Sequence, residues 1–230
     1  MEVVLSDRSF SIKNLTFNLV PRLECITNSI GAQNDIYEIL TSVYLLDVQV
    51  DSEQFFRRFS KINYFSYLRD VLSDVSRIGI KKVSLNVNSE FLNSSYLILL
   101  IEDFRALHIA LEISETVEIS PENLKAIRAL ANHHNVSIWL DDFGKGFSNF
   151  DTIAKFSFNA IKISKELFWQ LFYQDKKLLR CLLNNLCKKS DNVIVEGVDC
   201  FEKYIFCKEL NILMQGYFFK ELQQEKKLVE

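Results

Sequence analysis

Val136-Ser-Ile-Trp-Leu-Asp141-Asp142-Phe-Gly144-Lys-Gly146 is the stretch that decides the fold. A short apolar run, β-branched and aromatic, ends on two adjacent carboxylates, and two glycines follow at once. The same pattern recurs in both directions from it. Upstream lie Tyr37-Glu38-Ile-Leu40, Leu85-Asn86-Val-Asn88 and Ala110-Leu-Glu112-Ile; downstream lie Ile161-Lys162-Ile-Ser164, Val193-Ile-Val-Glu196 and Leu213-Met-Gln215-Gly216. Helical period follows most of these runs. In a barrel of parallel strands all the downstream ends open onto one face, where barrel enzymes place their chemistry. Five carboxylates meeting one lysine there would repel one another unless divalent cations neutralised them. Neighbouring side chains on a strand point to opposite faces, so Asp141 and Asp142 reach one site only if the strand ends between them. Gly144 and Gly146 supply turn conformations that allow this.

Strand-like runs fall near 17–23, 36–46, 82–88, 109–114, 136–142, 159–164, 193–198 and 212–218. Between them, 64–78 puts Tyr67, Leu68, Val71, Leu72 and Val75 on one helical stripe. Ser120-Pro121-Glu122 reads as an N-cap, a proline at the first helical position and an acid at the positive end of the dipole. Further helices are expected over 95–107, 165–189 (two, or one with a break) and 201–210. The segment from Glu24 to Asp35 has no helical period and barely the length of a crossover, which leaves an antiparallel start open. The expected fold is therefore α/β, a modified (β/α)8 TIM-like barrel, with 1–230 as a single domain.

Composition narrows the function. Hydrophobic residues make up 48% of 230, enough for one large core, while a net charge of −3 gives no general attraction to nucleic acid or to an anionic membrane. The longest apolar runs are too short to span a bilayer, and Met1–Phe10 does not read as a secretion signal, so a cytoplasmic location is expected. Five cysteines without a C-x-x-C pair read as buried free thiols.

Taken singly, Glu38, Glu112 or Glu196 is an ordinary strand-end carboxylate and Lys162 an ordinary surface lysine. Taken together and in order, the runs resemble the EAL domain, the bacterial fold that linearises cyclic di-GMP. Glu38-Ile39-Leu40 stands where that family has Glu-Ala-Leu. LNVNSEFL resembles its Asn-bearing strand, LEISET its Glu-x-x-Glu element, and DDFGKGFSNF its Asp-Asp-Phe-Gly loop. IKIS, VEGVD and QGYFF resemble its Lys-Ile-Asp, Glu-Gly-Val-Glu and Gln-Gly strands, so the likeness runs from about 17 to 221. The resemblance implies Glu38, Asn86, Glu112, Asp141 and Asp142 as ligands of Mg2+ or Mn2+. It implies Glu196 as holder of the attacking water and Lys162 as stabiliser of charge. Gln215 would fix water at the rim, and Glu115 would anchor the DDFGKGF loop.

The departures cluster on the substrate side. Val20 precedes Pro21 where the family has Gln, and Ser42 stands where it has Arg, which removes a bidentate phosphate contact. Ser164 replaces the Asp of Lys-Ile-Asp, Asp199 the second Glu of Glu-Gly-Val-Glu, and the proline expected near 219–222 is missing. The resemblance then implies a degenerate EAL-like regulator with weak or no cyclic di-GMP binding. It would act on a protein partner, as some enteric relatives act on the flagellar master transcription regulator to restrain motility. The alternative is an active Mg- or Mn-dependent phosphodiesterase producing linear pGpG. On the first expectation, Ser42→Arg with Val20→Gln rescues binding.

Overall fold

The computed structural model describes residues 3–12, 14–28 and 36–219. The chain opens with β1 (Val3–Val4), β2 (Arg8–Ile12), β3 (Leu15–Ile26), β4 (Ile36–Leu45) and β5 (Val48–Val50). Then come α1 (Ser52–Arg58), α2 (Lys61–Arg77), β6 (Lys82–Val87), α3 (Ser89–Leu92), α4 (Ser95–Asp103) and β7 (His108–Ile113). The second half holds α5 (Pro121–Ala131), β8 (Val136–Phe143), α6 (Phe150–Lys155) and β9 (Ala160–Ile163). It ends with α7 (Lys165–Gln174), α8 (Lys176–Leu186), β10 (Asn192–Val195), α9 (Phe201–Glu209) and β11 (Leu213–Met214).

Strand order β3-β4-β6-β7-β8-β9-β10-β11 is the order of the chain, and every pair from β4 onward is parallel. β3 pairs antiparallel with β4 over ten residue pairs, the arrangement the short connection left open. Reciprocal hydrogen bonds between Thr27 and Met214, 3.0 and 2.7 Å, join the first barrel strand to the last and close the ring. The fold is an α/β barrel of the (β/α)8 kind. β1, β2 and β5 were not legible as strands: β1 has two residues and β5 three; β1 lies against Arg22 and Leu23 of β3, while β2 and β5 pair with the Leu15 end of β3 and the Leu45 end of β4.

Ser120 caps α5 through its side chain, accepting from the Asn123 N–H as expected. The 165–189 stretch is two helices, and Asp175 both ends α7 and caps α8 through its carboxylate. Phe168 and Phe172 on α7 are buried in the barrel's outer layer rather than presented to solvent. All five cysteines are free, but Cys181 and Cys187 are exposed, which corrects the expectation that the thiols are buried. The proline position in the last loop lies partly outside the described residues.

Inside the ring, Ile26, Ala110, Trp139, Ala160 and Ile194 form a separate apolar cluster with Ile36 and Leu213 against it. This plug decides where the polar groups can go. Two residues downstream of Ile36, Ala110, Trp139, Ala160, Ile194 and Leu213, on the same strand face, stand Glu38, Glu112, Asp141, Lys162, Glu196 and Gln215. β6 follows the same spacing with buried Ser84 and then Asn86.

Candidate functional site

The side chains above the plug converge on one cation. The Lys162 side chain is 1% exposed, and its Nζ lies 2.8 Å from Glu112 Oε2, 2.9 Å from Asp141 Oδ1, 3.0 Å from Glu196 Oε1 and 3.3 Å from Glu38 Oε2. Gln215 Nε2 donates to Glu38 Oε2 at 2.6 Å, and Asn86 Nδ2 donates to Glu38 Oε1 at 3.2 Å. Seven of the residues singled out from the sequence thus share one centre.

Such a centre is electrostatically tense. Burial lowers the affinity of Lys162 for its proton, yet Asp141, Glu112, Glu38 and Glu196 outweigh that and hold it well above the usual lysine range. Burial is also the main force on Glu112, and with the charges of Glu38 and Asp141 it lifts that carboxyl well above the ordinary range, against Lys162. Glu196 is pushed to about 7, chiefly by burial, with Asp141 and Glu38 adding to the rise and Lys162 opposing it. One ammonium does not compensate four carboxylates.

Asp142 reaches the rim by a route the sequence did not show. The strand does not end at Asp141; β8 runs on to Phe143, and Asp142 adopts φ +50° where the register with β9 shifts. That left-handed residue breaks the alternation that would have sent Asp142 to the outer face. Its carboxylate pairs with Lys145 at 3.3 Å, and Lys145 also holds Glu166 at 2.7 Å. Burial, followed by the charge of Asp141, raises Asp142 above the usual aspartate value. Glu115 anchors the following loop through its backbone, not its side chain. Its carbonyl accepts from the Phe147 N–H at 2.8 Å and lies so close to Gly146 that a Cβ there would come within 2.5 Å.

The positions expected from the sequence to depart on the substrate side have local structural surroundings. Ser164 is the N-cap of α7, accepting from the Leu167 N–H at 3.4 Å. Asp199 takes the buried Lys203 ammonium at 2.6 Å, and that ammonium also lies over Trp169 and Tyr173. Val20 stands directly across from Ser42 in the β3–β4 ladder. Arg22, which sequence reasoning passed over, donates to Ser42 Oγ at 2.5 Å. Strand alternation from Val20 would have found it.

Two cavities flank the centre. One, of about 490 Å3, is bordered by Glu24, Glu38, Trp169, Glu196, Gly197 and Tyr217. The other, of about 420 Å3, is bordered by Tyr64, Phe91, Asn86, Glu115, Asp141 and Asp142. Among the described residues no three His, Cys, Asp or Glu side chains stand in a ready ligating cluster, since the carboxylates close on Lys162 instead. Two observations nevertheless suit a hard cation. The donors are all oxygen, as Mg2+ and Mn2+ prefer. Glu112 Oε1 and Gln215 Oε1 are buried with no hydrogen-bond partner, and Asp141 Oδ1 has its ion pair but no hydrogen bond.

Comparison with known proteins bears on the family and the fold. The model of the EAL domain matches residues 18–221. Cyclic di-GMP phosphodiesterase PdeH of Escherichia coli K12 is 38% identical over 69 residues, 29% of this chain and 27% of PdeH. Cyclic di-GMP phosphodiesterase RocR of Pseudomonas aeruginosa is 26% identical over 130 residues, 53% of this chain and 32% of RocR. The matches span between 14% and 32% of the length of the curated relatives. In fold, the chain is similar to the EAL-like domain protein YdiV, with a TM-score of 0.68 at 15% identity over 84% of this chain and 88% of YdiV. A standalone EAL protein from Vibrio cholerae O395 bound to cyclic di-GMP gives a TM-score of 0.67 at 20% identity, over 90% and 92% of the two chains. With the family pattern matched across nearly all of the barrel, this chain belongs to the EAL domain family.

Proposed function

We propose that this chain is a divalent-cation-dependent cyclic di-GMP phosphodiesterase that opens the ring to the linear dinucleotide. The observation that carries this reading is the convergence of Glu38, Asn86, Glu112, Asp141, Glu196 and Gln215 about Lys162, with buried oxygens left unpaired. A barrel kept only as a scaffold has no use for so strained a cluster, because apolar residues of similar volume would be at least as stable.

Glu38, Asn86, Glu112, Asp141 and Asp142 would hold Mg2+ or Mn2+, which when bound supplies an acidified water and polarises the scissile phosphate. Lys162 keeps its proton and places a fixed positive charge where negative charge builds on phosphorus. Gln215, tied to Glu38, and Glu196, tied to Lys162, border the space through which water reaches the centre. The Glu115 carbonyl holds the loop that carries Asp142. The flanking cavities give the two nucleoside halves of a cyclic dinucleotide room to lie on either side.

The test is chromatographic. Purified protein with Mg2+ or Mn2+ is expected to convert cyclic di-GMP to its linear form, and Glu112→Gln to lose at least about 10²-fold in rate, the scale of losing one fixed charge at a reacting centre. No turnover by the wild type contradicts the proposal.

A second reading, the EAL-like regulator, is favoured by Val20, Ser42, Ser164 and Asp199, which replace polar or charged family positions. In that reading the chain binds little cyclic di-GMP and acts through a protein partner, with a flagellar transcription regulator as the first to try by pull-down. A cytoplasmic setting fits either reading. Among the described residues no helix is long and apolar enough to cross a membrane.

A further inference from the structure

A guanidinium stands beside Ser42 on the inner face of the barrel. β3 and β4 pair in the register Val20↔Ser42, Arg22↔Leu40 and Glu24↔Glu38. Alternate residues share a face, so Val20, Arg22 and Glu24 lie on the same side of the sheet as Ser42, Leu40 and Glu38. That is the side on which Glu38 meets Lys162 and Gln215. Arg22 is half-buried, and its Nη1 donates to Ser42 Oγ. Leu40, directly across from Arg22, and Glu24, next on the same face, both border the 490 Å3 cavity.

We infer that Arg22 is the phosphate-binding guanidinium of this chain, delivered from β3 and seated on Ser42 of β4. The inference rests on the phosphodiesterase reading and names a binding residue within it. An arginine at 42 and an arginine at 22 would compete for one place. A short hydroxyl at 42 both makes room for the neighbouring side chain and accepts its N–H. Only an arginine supplies the planar fork of donors that meets a phosphate through two oxygens. The exchange also reverses the expectation for Ser42→Arg. In the wild-type background it sets two like charges side by side, so it is expected to bring no gain.

The test is calorimetry with cyclic di-GMP in Ca2+, using the full chain and four proteins: wild type, Arg22→Met, Ser42→Arg and the double variant. Circular dichroism melting checks that each is folded. The wild type is expected to bind, and Arg22→Met to bind about 10- to 100-fold more weakly, the range for one lost charge-assisted contact. The double variant is expected to recover at least tenfold over Arg22→Met. Equal affinity in the wild type and folded Arg22→Met overturns the inference and leaves the phosphodiesterase reading standing. No recovery in the double variant overturns the exchange of place between the two strands. Absence of binding by the wild type overturns the inference and the phosphodiesterase reading together.

Discussion

At the scale of single residues, Lys162 holds the centre together through four carboxylates. Removing its ammonium leaves Glu38, Glu112, Asp141 and Glu196 facing one another in the barrel mouth. In chelator, Lys162→Met is expected to lose about 3–5 kcal/mol of stability by urea denaturation, the usual result of stripping one partner from a buried ion pair. Unchanged stability would mean that the carboxylates are already neutral. The pH dependence follows from Glu196. Its folded value of about 7 lies above the ordinary glutamate value of 4.5, so between these the folded state binds more protons than the unfolded state. Its contribution is full below about 4.5 and is lost as pH rises through 7. In chelator the melting temperature is therefore expected to fall between pH 5 and 8, and Glu196→Gln to flatten that slope. Most of these residues were legible in the sequence because a strand-end position is a period-two property. Arg22 was reachable by alternation from Val20, but its partner Ser42, twenty residues away across the ladder, was not.

At the scale of elements, the loop after β8 does the least expected work. Three alternate residues, Asp142, Gly144 and Gly146, have positive φ. Two of them were readable as turn glycines. The third was not, since an aspartate in a left-handed conformation is set by the bulge against β9 and not by its own preference. Gly146→Ala is expected to damage this loop from two causes, a left-handed backbone and a Cβ driven against the Glu115 carbonyl. We expect the variant to melt lower and to lose turnover more than cyclic di-GMP binding, measured as kcat against Kd. An Ala variant with wild-type kcat would show that the loop's hold on Asp142 is unimportant. The two-helix division at Asp175 belongs to this scale as well. Leu179, Leu183 and Leu186 on α8 and Phe168 and Phe172 on α7 are all buried, so periodicity alone could not place the break.

At the scale of the whole molecule, eight strands ring an apolar plug and lift every downstream polar group to one level. The antiparallel first pair does not disturb this, because β3 contributes Glu24 and Arg22 to the rim from its own alternation while Thr27 closes the ring on Met214. The barrel and its parallel order were visible in the sequence from the repeated grammar of apolar run, acid and helix. The outlying strands β1, β2 and β5 were not, since they exist only by adding to edges that folding creates. What the closed ring provides is a place where carboxylates that repel one another are gathered about Lys162, and the proposed function has divalent cations join them there. The most direct measurement of that claim is calorimetric titration of chelator-stripped protein with Mn2+ near pH 7.5. Saturable binding in the wild type that disappears in Asp141→Asn is the predicted result; heat that is absent from the wild type, or unchanged in the variant, would contradict it.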